Sequence, residues 1–404
     1  METLKSPAET LIEQEGRYGA HNYHPLDVVV ERGEGVYLWD VEGKRYMDFL
    51  AAYSAVNQGH NHPRIAEALI GQVRRLALTS RAFRNDRFPP LLEKLCKLTG
   101  FDKALLMNSG AEAVETAVKA ARKWGYDVKG IPYPEAEIVV FEGNFHGRTT
   151  TIVGFSTDPD STSRFGPFTP GFRTARYGDL ASVEAALTPR TCAILVEPIQ
   201  GEAGVIVPPA GFLRGLRELC DRHRVLLVLD EIQSGLGRTG KLFAFEHEGI
   251  RPDGVTIGKA LSGGFYPVSA FLARSEVMDV FTPGIHGSTY GGNPLACAVA
   301  TAALDVLVEE RLTERAAELG KHLRARLDAM TSPLVKATRC IGLWAGIDLK
   351  EYAGTARQYC LKLKDRGLLC KDTHAQTIRL APPLVITEAQ LDWAVDQIEA
   401  VLAG

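Results

Sequence analysis

The sequence has few features of a disulfide-bonded, metal-binding or membrane protein. Its seven cysteines include no C-x-x-C pair, and their odd number does not suggest a disulfide framework. Apolar runs such as 192–196 and 225–229 fall far short of the roughly 20 residues of a membrane helix. We therefore expect reduced thiols, no metal centre, no contact with a membrane and a cytoplasmic location.

The chain also has little net charge. Its 46 Lys and Arg residues nearly balance 49 Asp and Glu residues, which leaves a formal charge of −3. This balance gives no electrostatic reason to expect a nucleic-acid partner. With 45% hydrophobic and 24% charged residues over a length of 404, the composition is that of a folded chain large enough for two domains.

Short apolar runs alternate with helical stretches between about residues 60 and 285. This alternation predicts a mostly parallel sheet with helices on both of its faces. The pattern changes after the Gly- and Pro-rich stretch 284–294, where two helical segments precede short strands. We therefore predict an N-terminal arm and hairpin (1–53), a large α/β domain (54–285) and a small C-terminal α+β domain (286–404).

Chemically distinctive residues follow three of the predicted strands, at the sheet edge where open α/β sheets bind ligands. Ser109 fits a capping box with the glutamate three residues later, and taken alone this pattern favours an ordinary helix cap over an anion site. Asp230 ends a fully apolar run, and Lys259 follows the next one among small residues. Together they predict an acid, an amine and a helix N-terminus around one pocket, which are the groups that pyridoxal phosphate requires.

Two other patterns do not indicate ligand sites. Gly235, Gly237 and Gly240 satisfy the dinucleotide fingerprint G-x-G-x-x-G, but five residues separate them from the preceding strand and no clear helix follows. We predict a glycine-rich loop there and no NAD site. The histidine pairs at 21/24 and 60/62 lack the further ligands that a metal site needs.

Five motifs resemble those of the class III, fold-type I, pyridoxal-phosphate aminotransferases, and the match runs from about residue 18 to the last helix. The resemblance implies a large domain with a mostly parallel seven-stranded sheet, a smaller α+β C-terminal domain and an N-terminal arm. Four further segments are similar to the ornithine branch of that family. The motifs are residues 108–112, 145–149, 196–202, 229–233 and 287–294, and the four segments are 21–25, 53–60, 79–83 and 258–264.

The resemblance also implies how the cofactor, pyridoxal 5'-phosphate, is held. Lys259 would bind it covalently and then act as general base and acid, while Asp230 would pair with its ring nitrogen. The remaining contacts are Gln233 at the phenolic oxygen, Phe145 on the ring face, Ser109, Gly110 and Ala111 at the phosphate, and Thr289 at the phosphate of a neighbouring subunit. The contact from Thr289 implies that a homodimer, or a larger assembly, forms part of the active site.

The substrates implied by the resemblance are L-ornithine and 2-oxoglutarate. Arg148 offers a planar fork for the α-carboxylate of ornithine, Tyr23 would help to bind the α-amino end, and Tyr53 belongs to the same substrate site. Arg379 would bind the second carboxylate of 2-oxoglutarate, and Glu202 would neutralise Arg379 while ornithine is bound. A plain interdomain ion pair would explain Glu202 and Arg379 equally well.

The implied reaction moves the δ-amino group of ornithine to 2-oxoglutarate and gives glutamate 5-semialdehyde, which cyclises to pyrroline-5-carboxylate, together with glutamate. Two alternatives stay open. One is an aminotransferase for acetylornithine, 4-aminobutyrate or lysine-type donors, which half-reactions with each donor would distinguish. The other is a non-catalytic dimeric scaffold, which would lack the absorption band of a bound cofactor.

Overall fold

The computed structural model describes residues 5–403. Within this range no helix has both the length and the apolar character needed to cross a bilayer. The helices are α1 (Pro7–Tyr18), α2 (Ala51–Ser54), α3 (Pro63–Val73), α4 (Phe88–Thr99), α5 (Gly110–Trp124), α6 (Thr150–Val153), α7 (Pro159–Thr162), α8 (Leu180–Ala186), α9 (Phe212–His223), α10 (Ser275–Met278), α11 (Pro294–Glu309), α12 (Leu312–Ala329), α13 (Ala356–Asp365) and α14 (Glu388–Leu402).

The strands form three sheets, and short 3-10 or π-helical segments lie between some of them. The strands are β1 (Val30–Glu34), β2 (Tyr37–Asp40), β3 (Arg45–Asp48), β4 (Lys103–Met107), β5 (Glu137–Phe141), β6 (Phe172–Ala175), β7 (Thr191–Val196), β8 (Leu226–Asp230), β9 (Gly254–Ile257), β10 (Ser269–Ala273), β11 (Val335–Ile341), β12 (Trp344–Leu349), β13 (Leu368–Leu369), β14 (Lys371–Thr373) and β15 (Thr377–Leu380).

The central sheet has seven strands in the order β4-β10-β9-β8-β7-β5-β6. Only β10 runs antiparallel to its neighbours, so the prediction of a mostly parallel sheet is confirmed. Every residue of β7, β8 and β9 is buried. Burial on both faces explains why these strands are continuous apolar runs rather than alternating ones.

The direction of these strands brings their carboxyl ends to one edge of the sheet. Strands β7, β8 and β9 are parallel, and β4 has the same direction because the antiparallel β10 lies between β4 and β9. The residues that follow them are Ser109 after β4, Glu197 after β7, Asp230 at the end of β8 and Lys259 after β9. These four residues therefore reach the same side of the molecule.

Two smaller sheets accompany the central one, and the first of them joins N-terminal strands to a C-terminal strand. The first has the order β1-β2-β3-β13, in which Met47 of β3 pairs in parallel with Leu368 of β13. The second has the order β11-β12-β15-β14 and contains Arg379 on β15. The chain passes from the first of these sheets to the second at Cys370. The domain boundaries after residues 53 and 285 stay predictions.

The short segment α2, which follows β3, is a left-handed turn rather than a regular helix. The four residues from Ala51 to Ser54 all have positive φ angles, between 46° and 71°, although none of them is glycine. Such a conformation costs roughly 1–2 kcal/mol per residue. Asp48 supports the turn, because its carboxylate accepts hydrogen bonds from the amides of Leu50 (2.8 Å) and Ala51 (3.0 Å). This turn carries Tyr53.

Candidate active site

A cavity of about 190 Å³ lies at the carboxyl edge of the central sheet. Six of its twelve lining residues have a role in the sequence analysis, and the other six, which include His146 and Glu197, have none. The lining includes Phe145, His146, Glu197, Asp230, Gln233 and Lys259. Asp230 and Lys259, which follow two neighbouring strands, therefore line the same cavity, as the sequence analysis predicts.

Asp230 is held by three hydrogen bonds. His146 Nδ1 lies 2.6 Å from one of its oxygens, and Thr256 Oγ1 (3.0 Å) and the Ile232 amide (3.1 Å) donate to the other. Burial alone would lower the pKa of His146, but the hydrogen bond and negative charge of Asp230 outweigh it and raise that pKa. The other ring nitrogen, Nε2, is buried without a hydrogen-bond partner in residues 5–403. The three bonds therefore hold the Asp230 carboxylate in a fixed orientation at the cavity wall.

Glu197 also lines the cavity and has no role in the sequence analysis. Its Oε2 accepts a hydrogen bond from the amide of Phe145 at 2.9 Å, which fixes the backbone of the aromatic residue on the cavity wall. Burial is the largest influence on this carboxyl group and raises its pKa to about 7. Because Glu197 directly follows β7, the strand-end rule that selected Asp230 would also have selected this glutamate.

Lys259 begins a 3-10 helix directly after β9. Its backbone is left-handed, with φ 43°, a conformation that is costly for a residue with a side chain and that is concentrated at functional sites. Burial lowers the pKa of its ammonium group, while the carboxylates of Glu202 and Asp230 oppose that shift. A lysine with a lowered pKa is a better nucleophile and proton acceptor near neutral pH.

The N-terminus of α5 forms another wall. Ser109 caps this helix through the predicted capping box, and the amides of Gly110 and Ala111 have no acceptor within residues 5–403. Gly147 closes over this end, since a Cβ at that position would lie 2.8 Å from the Ala111 Cβ. Free amides at the positive end of a fifteen-residue helix are suited to an anion such as phosphate.

The two arginines singled out from the sequence differ in environment. Arg379 is buried, and its Nη1 donates to Glu202 Oε1 at 2.7 Å and to the Gly201 carbonyl at 3.3 Å. Its guanidinium lies 5.2 Å from the centre of the Tyr53 ring. Burial would raise the pKa of Glu202, but the positive charge of Arg379 outweighs it and holds that pKa below its usual value. The predicted Glu202–Arg379 pair is therefore present.

Arg148 has no carboxylate within salt-bridge distance in the part of the chain that is described. Its guanidinium lies 5.4 Å from the centre of the Phe145 ring, and its closest polar contact is the Ser161 hydroxyl at 3.4 Å. Tyr23 is 73% exposed on the N-terminal arm, and Thr289 is exposed in the loop before α11. Arg148 is thus free to bind an anion, whereas within the described residues neither Tyr23 nor Thr289 makes a hydrogen bond to a residue of the cavity wall.

Comparison with known proteins agrees with this site. The family model "Aminotransferase class-III", a family that is pyridoxal-phosphate-dependent in general, matches residues 18–402. The ornithine aminotransferase of Bordetella pertussis is 58% identical over 401 residues, which are 99% of this chain and 97% of that one.

Two solved structures are also similar. One is the ornithine aminotransferase of Toxoplasma gondii with partial occupancy of PLP at its active site (45% identity, TM-score 0.96, 98% of this chain and 94% of that one). The other is the acetylornithine aminotransferase of Elizabethkingia anophelis (56% identity, TM-score 0.90, 98% of both chains). With the family model covering nearly its whole length, this chain belongs to the class III aminotransferases.

Proposed function

We propose that this chain transfers the δ-amino group of L-ornithine to 2-oxoglutarate, giving glutamate 5-semialdehyde, which cyclises to pyrroline-5-carboxylate, and glutamate. The observation that carries the proposal is the contrast between the two arginines of the site. Among residues 5–403 the exposed Arg148 has no carboxylate within salt-bridge distance, whereas Arg379 is buried and neutralised by Glu202. A donor that reacts through its terminal amine needs one cationic site, and a dicarboxylate acceptor needs two.

Pyridoxal 5'-phosphate fits the cavity. Lys259 has the amine for a covalent link, Asp230 supplies an anion for the ring nitrogen, and Phe145 a face for the ring. Gln233 would bind the phenolic oxygen, and Ser109, Gly110 and Ala111 the phosphate. When bound, the cofactor withdraws electrons from the carbon that loses its proton.

The chain's own residues carry the remaining steps. Lys259 removes a proton from the substrate carbon and returns it, because burial lowers the pKa of its amine and so favours the neutral form that accepts a proton. Asp230 keeps the positive charge at the ring nitrogen, and its bond to His146 fixes its orientation. Glu197 holds the Phe145 amide and so fixes the ring that covers one face of the cavity.

Substrate binding depends on the two arginines and on Glu202. Arg148 binds the α-carboxylate of ornithine, with Tyr23 near the α-amino group. Glu202 masks Arg379 while this substrate is bound, which avoids an unpaired charge beside an aliphatic chain. When 2-oxoglutarate enters, Glu202 moves away and Arg379 binds the second carboxylate in a charge-assisted pair.

A second candidate is the transfer of an amino group from N-acetylornithine, which the acetylornithine aminotransferase at 56% identity supports. The deciding experiment mixes cofactor-loaded enzyme with ornithine, N-acetylornithine or 4-aminobutyrate and follows the cofactor absorbance in single turnovers. We expect ornithine to react at least tenfold faster than either alternative, about 1.4 kcal/mol in barrier. Faster reaction of N-acetylornithine or 4-aminobutyrate would replace our proposal. A chain that takes up no cofactor during loading would support the scaffold alternative.

We also infer a homodimer in the cytoplasm. Phe83, Ile285 and Tyr290 are large apolar side chains that are 71%, 41% and 49% exposed. A hydrogen bond from Asn85 to the Gly292 carbonyl joins the two segments that carry them. A second copy of the chain would cover this surface and bring Thr289 to the partner's phosphate site. The seven free cysteines support a reducing compartment.

Replacement of Glu202 by alanine tests whether Glu202 gives the enzyme its preference for ornithine over donors that react through the α-amine. In Glu202→Ala the unmasked Arg379 is free to bind the α-carboxylate of any donor that presents its α-amine. We expect the ratio of glutamate to ornithine single-turnover rates to rise roughly ten- to a hundredfold, or about 1–3 kcal/mol.

The matched control for Glu202→Ala is Asp348→Ala, which breaks the ion pair with Arg339 in the same C-terminal sheet. That variant should leave the ratio of the two donors unchanged. If both donors slow by a similar factor in Glu202→Ala, Glu202 is a structural partner of Arg379 and the proposed mask is wrong.

A further inference from the structure

Arg238 is a fully buried arginine outside the cavity, in the glycine-rich loop 235–240. Its side chain has no carboxylate within salt-bridge distance in residues 5–403. Instead, Nη1 donates to the carbonyls of Leu343 (2.8 Å) and Pro382 (2.7 Å), and Nη2 donates to Asn57 Oδ1. Burial lowers the pKa of the guanidinium to about 9, so it stays charged at neutral pH. A buried charge with only neutral partners is costly, and the mechanism above does not use it.

Two of the three partners of Arg238 belong to segments that carry substrate-site residues. Asn57 lies four residues after Tyr53, and Pro382 lies three residues after Arg379. The Asn57 side chain also donates to the Leu236 carbonyl at 3.1 Å. Through Arg238 and Asn57, the loop therefore connects the segment after the turn that contains Tyr53 to the segment after the strand that contains Arg379.

The glycines of the loop permit this close packing. Gly240 has φ +84°, and a Cβ there would lie 2.8 Å from the Ala317 Cα. That distance is too short for a Cβ contact, so a residue larger than glycine does not fit. The loop forms turns rather than the opening of a helix. The last glycine of the G-x-G-x-x-G pattern is thus explained by the approach of α12 to the loop that carries Arg238.

We propose that Arg238 is a positioning residue for the dicarboxylate substrate, which fixes the separation of the Arg379 guanidinium and the Tyr53 ring. Tyr53 lies in a left-handed turn of four non-glycine residues, which needs external support to keep its conformation. Arg238 supports that turn through Asn57 and holds the backbone beyond Arg379 through Pro382. This inference rests on the proposed function, because it assigns Arg379 to the second carboxylate.

The proposal predicts an asymmetric effect on the two substrates. None of the hydrogen bonds of Arg238 reaches the loop that carries Arg148. Loss of Arg238 should therefore weaken the site at Arg379 and leave the α-carboxylate site of ornithine nearly unchanged. A purely structural role would instead lower stability and slow both half-reactions together.

The test compares Arg238→Lys with wild type as cofactor-loaded enzyme. Glutarate, a dicarboxylate that cannot react, is titrated by calorimetry, and ornithine single turnovers are measured separately. We expect glutarate to bind at least tenfold more weakly, about 1.4 kcal/mol, with the ornithine rate within threefold of wild type. The matched control is Arg315→Lys, since Arg315 donates to the Ile386 and Val385 carbonyls on the same segment but not to Asn57. It should leave both readouts within threefold.

Asn57→Ala keeps the test decisive if Arg238→Lys does not fold. This variant removes only the contact to the segment that carries Tyr53, and we expect glutarate binding to weaken three- to tenfold. Unchanged glutarate binding in the folded variants, or equal losses with ornithine and glutarate, would overturn the role of Arg238. Wild-type enzyme that fails to react with ornithine would contradict the proposed function, while the glutarate comparison would still decide the inference about Arg238.

Discussion

Replacement of Lys259 by alanine is expected to lower turnover by at least roughly 10⁴-fold, the upper end of what a general acid–base group contributes. The amine is both the covalent partner of the cofactor and the proton carrier, and no second lysine lines the cavity. The fold should persist, because alanine removes a side chain whose charged form burial already disfavours. Steady-state turnover and the far-ultraviolet circular dichroism spectrum measure the two effects separately.

Lys129 provides a matched control for this variant. Burial also lowers the pKa of Lys129, but its ammonium donates to the carbonyls of Thr191 (2.7 Å) and His223 (3.1 Å), at the amino end of the central sheet. Lys129→Ala should cost stability and leave turnover close to wild type. Retention of substantial turnover by Lys259→Ala would mean that another amine carries the reaction.

Asp230→Asn is expected to keep the fold and slow proton abstraction roughly 10²–10³-fold, the range found when one preorganised electrostatic contact is removed. Asparagine has nearly the same shape and still accepts the bonds from Thr256 and the Ile232 amide. It removes the negative charge that raises the pKa of His146 and that would hold the proton on the cofactor ring. Single-turnover rates with ornithine measure the loss, and titration of His146 by NMR should show its pKa lowered.

The control for Asp230→Asn is Asp253→Asn. Asp253 is also buried, but it precedes β9 at the opposite edge of the sheet and accepts from the Leu227 amide and from Arg217. Its loss should lower the melting temperature without changing the single-turnover rate. Equal rates for Asp230→Asn and wild type would exclude the assigned role of Asp230.

The sequence predicts the parts of the site that depend on local pattern and strand direction. Apolar runs mark β7, β8 and β9, and parallel strands present their following residues at one edge. Strand direction therefore predicts that Asp230 and Lys259 lie close together, and the same argument applied to β7 predicts Glu197 beside them. The cap at Ser109 is equally local, because a capping box spans only four residues.

Other features depend on contacts between distant segments and have no local signal. Asn57 and Arg238 are 181 residues apart, and no periodicity relates them. The left-handed turn at Tyr53 contains no glycine to mark it, so only its surroundings hold it in place. His146 lay inside a recognised motif, but its role follows only from the 2.6 Å contact with Asp230.

The pairing of β3 with β13 affects how the chain folds while the ribosome makes it. The two strands are about 320 residues apart in sequence. At a synthesis rate of roughly 5–20 residues per second, β3 waits about 15–60 s for its partner. During that time β3 is an open strand edge, which can pair with other nascent chains. Substitutions that prevent Leu368–Leu369 from pairing would leave the same edge of β3 open in the finished molecule as well.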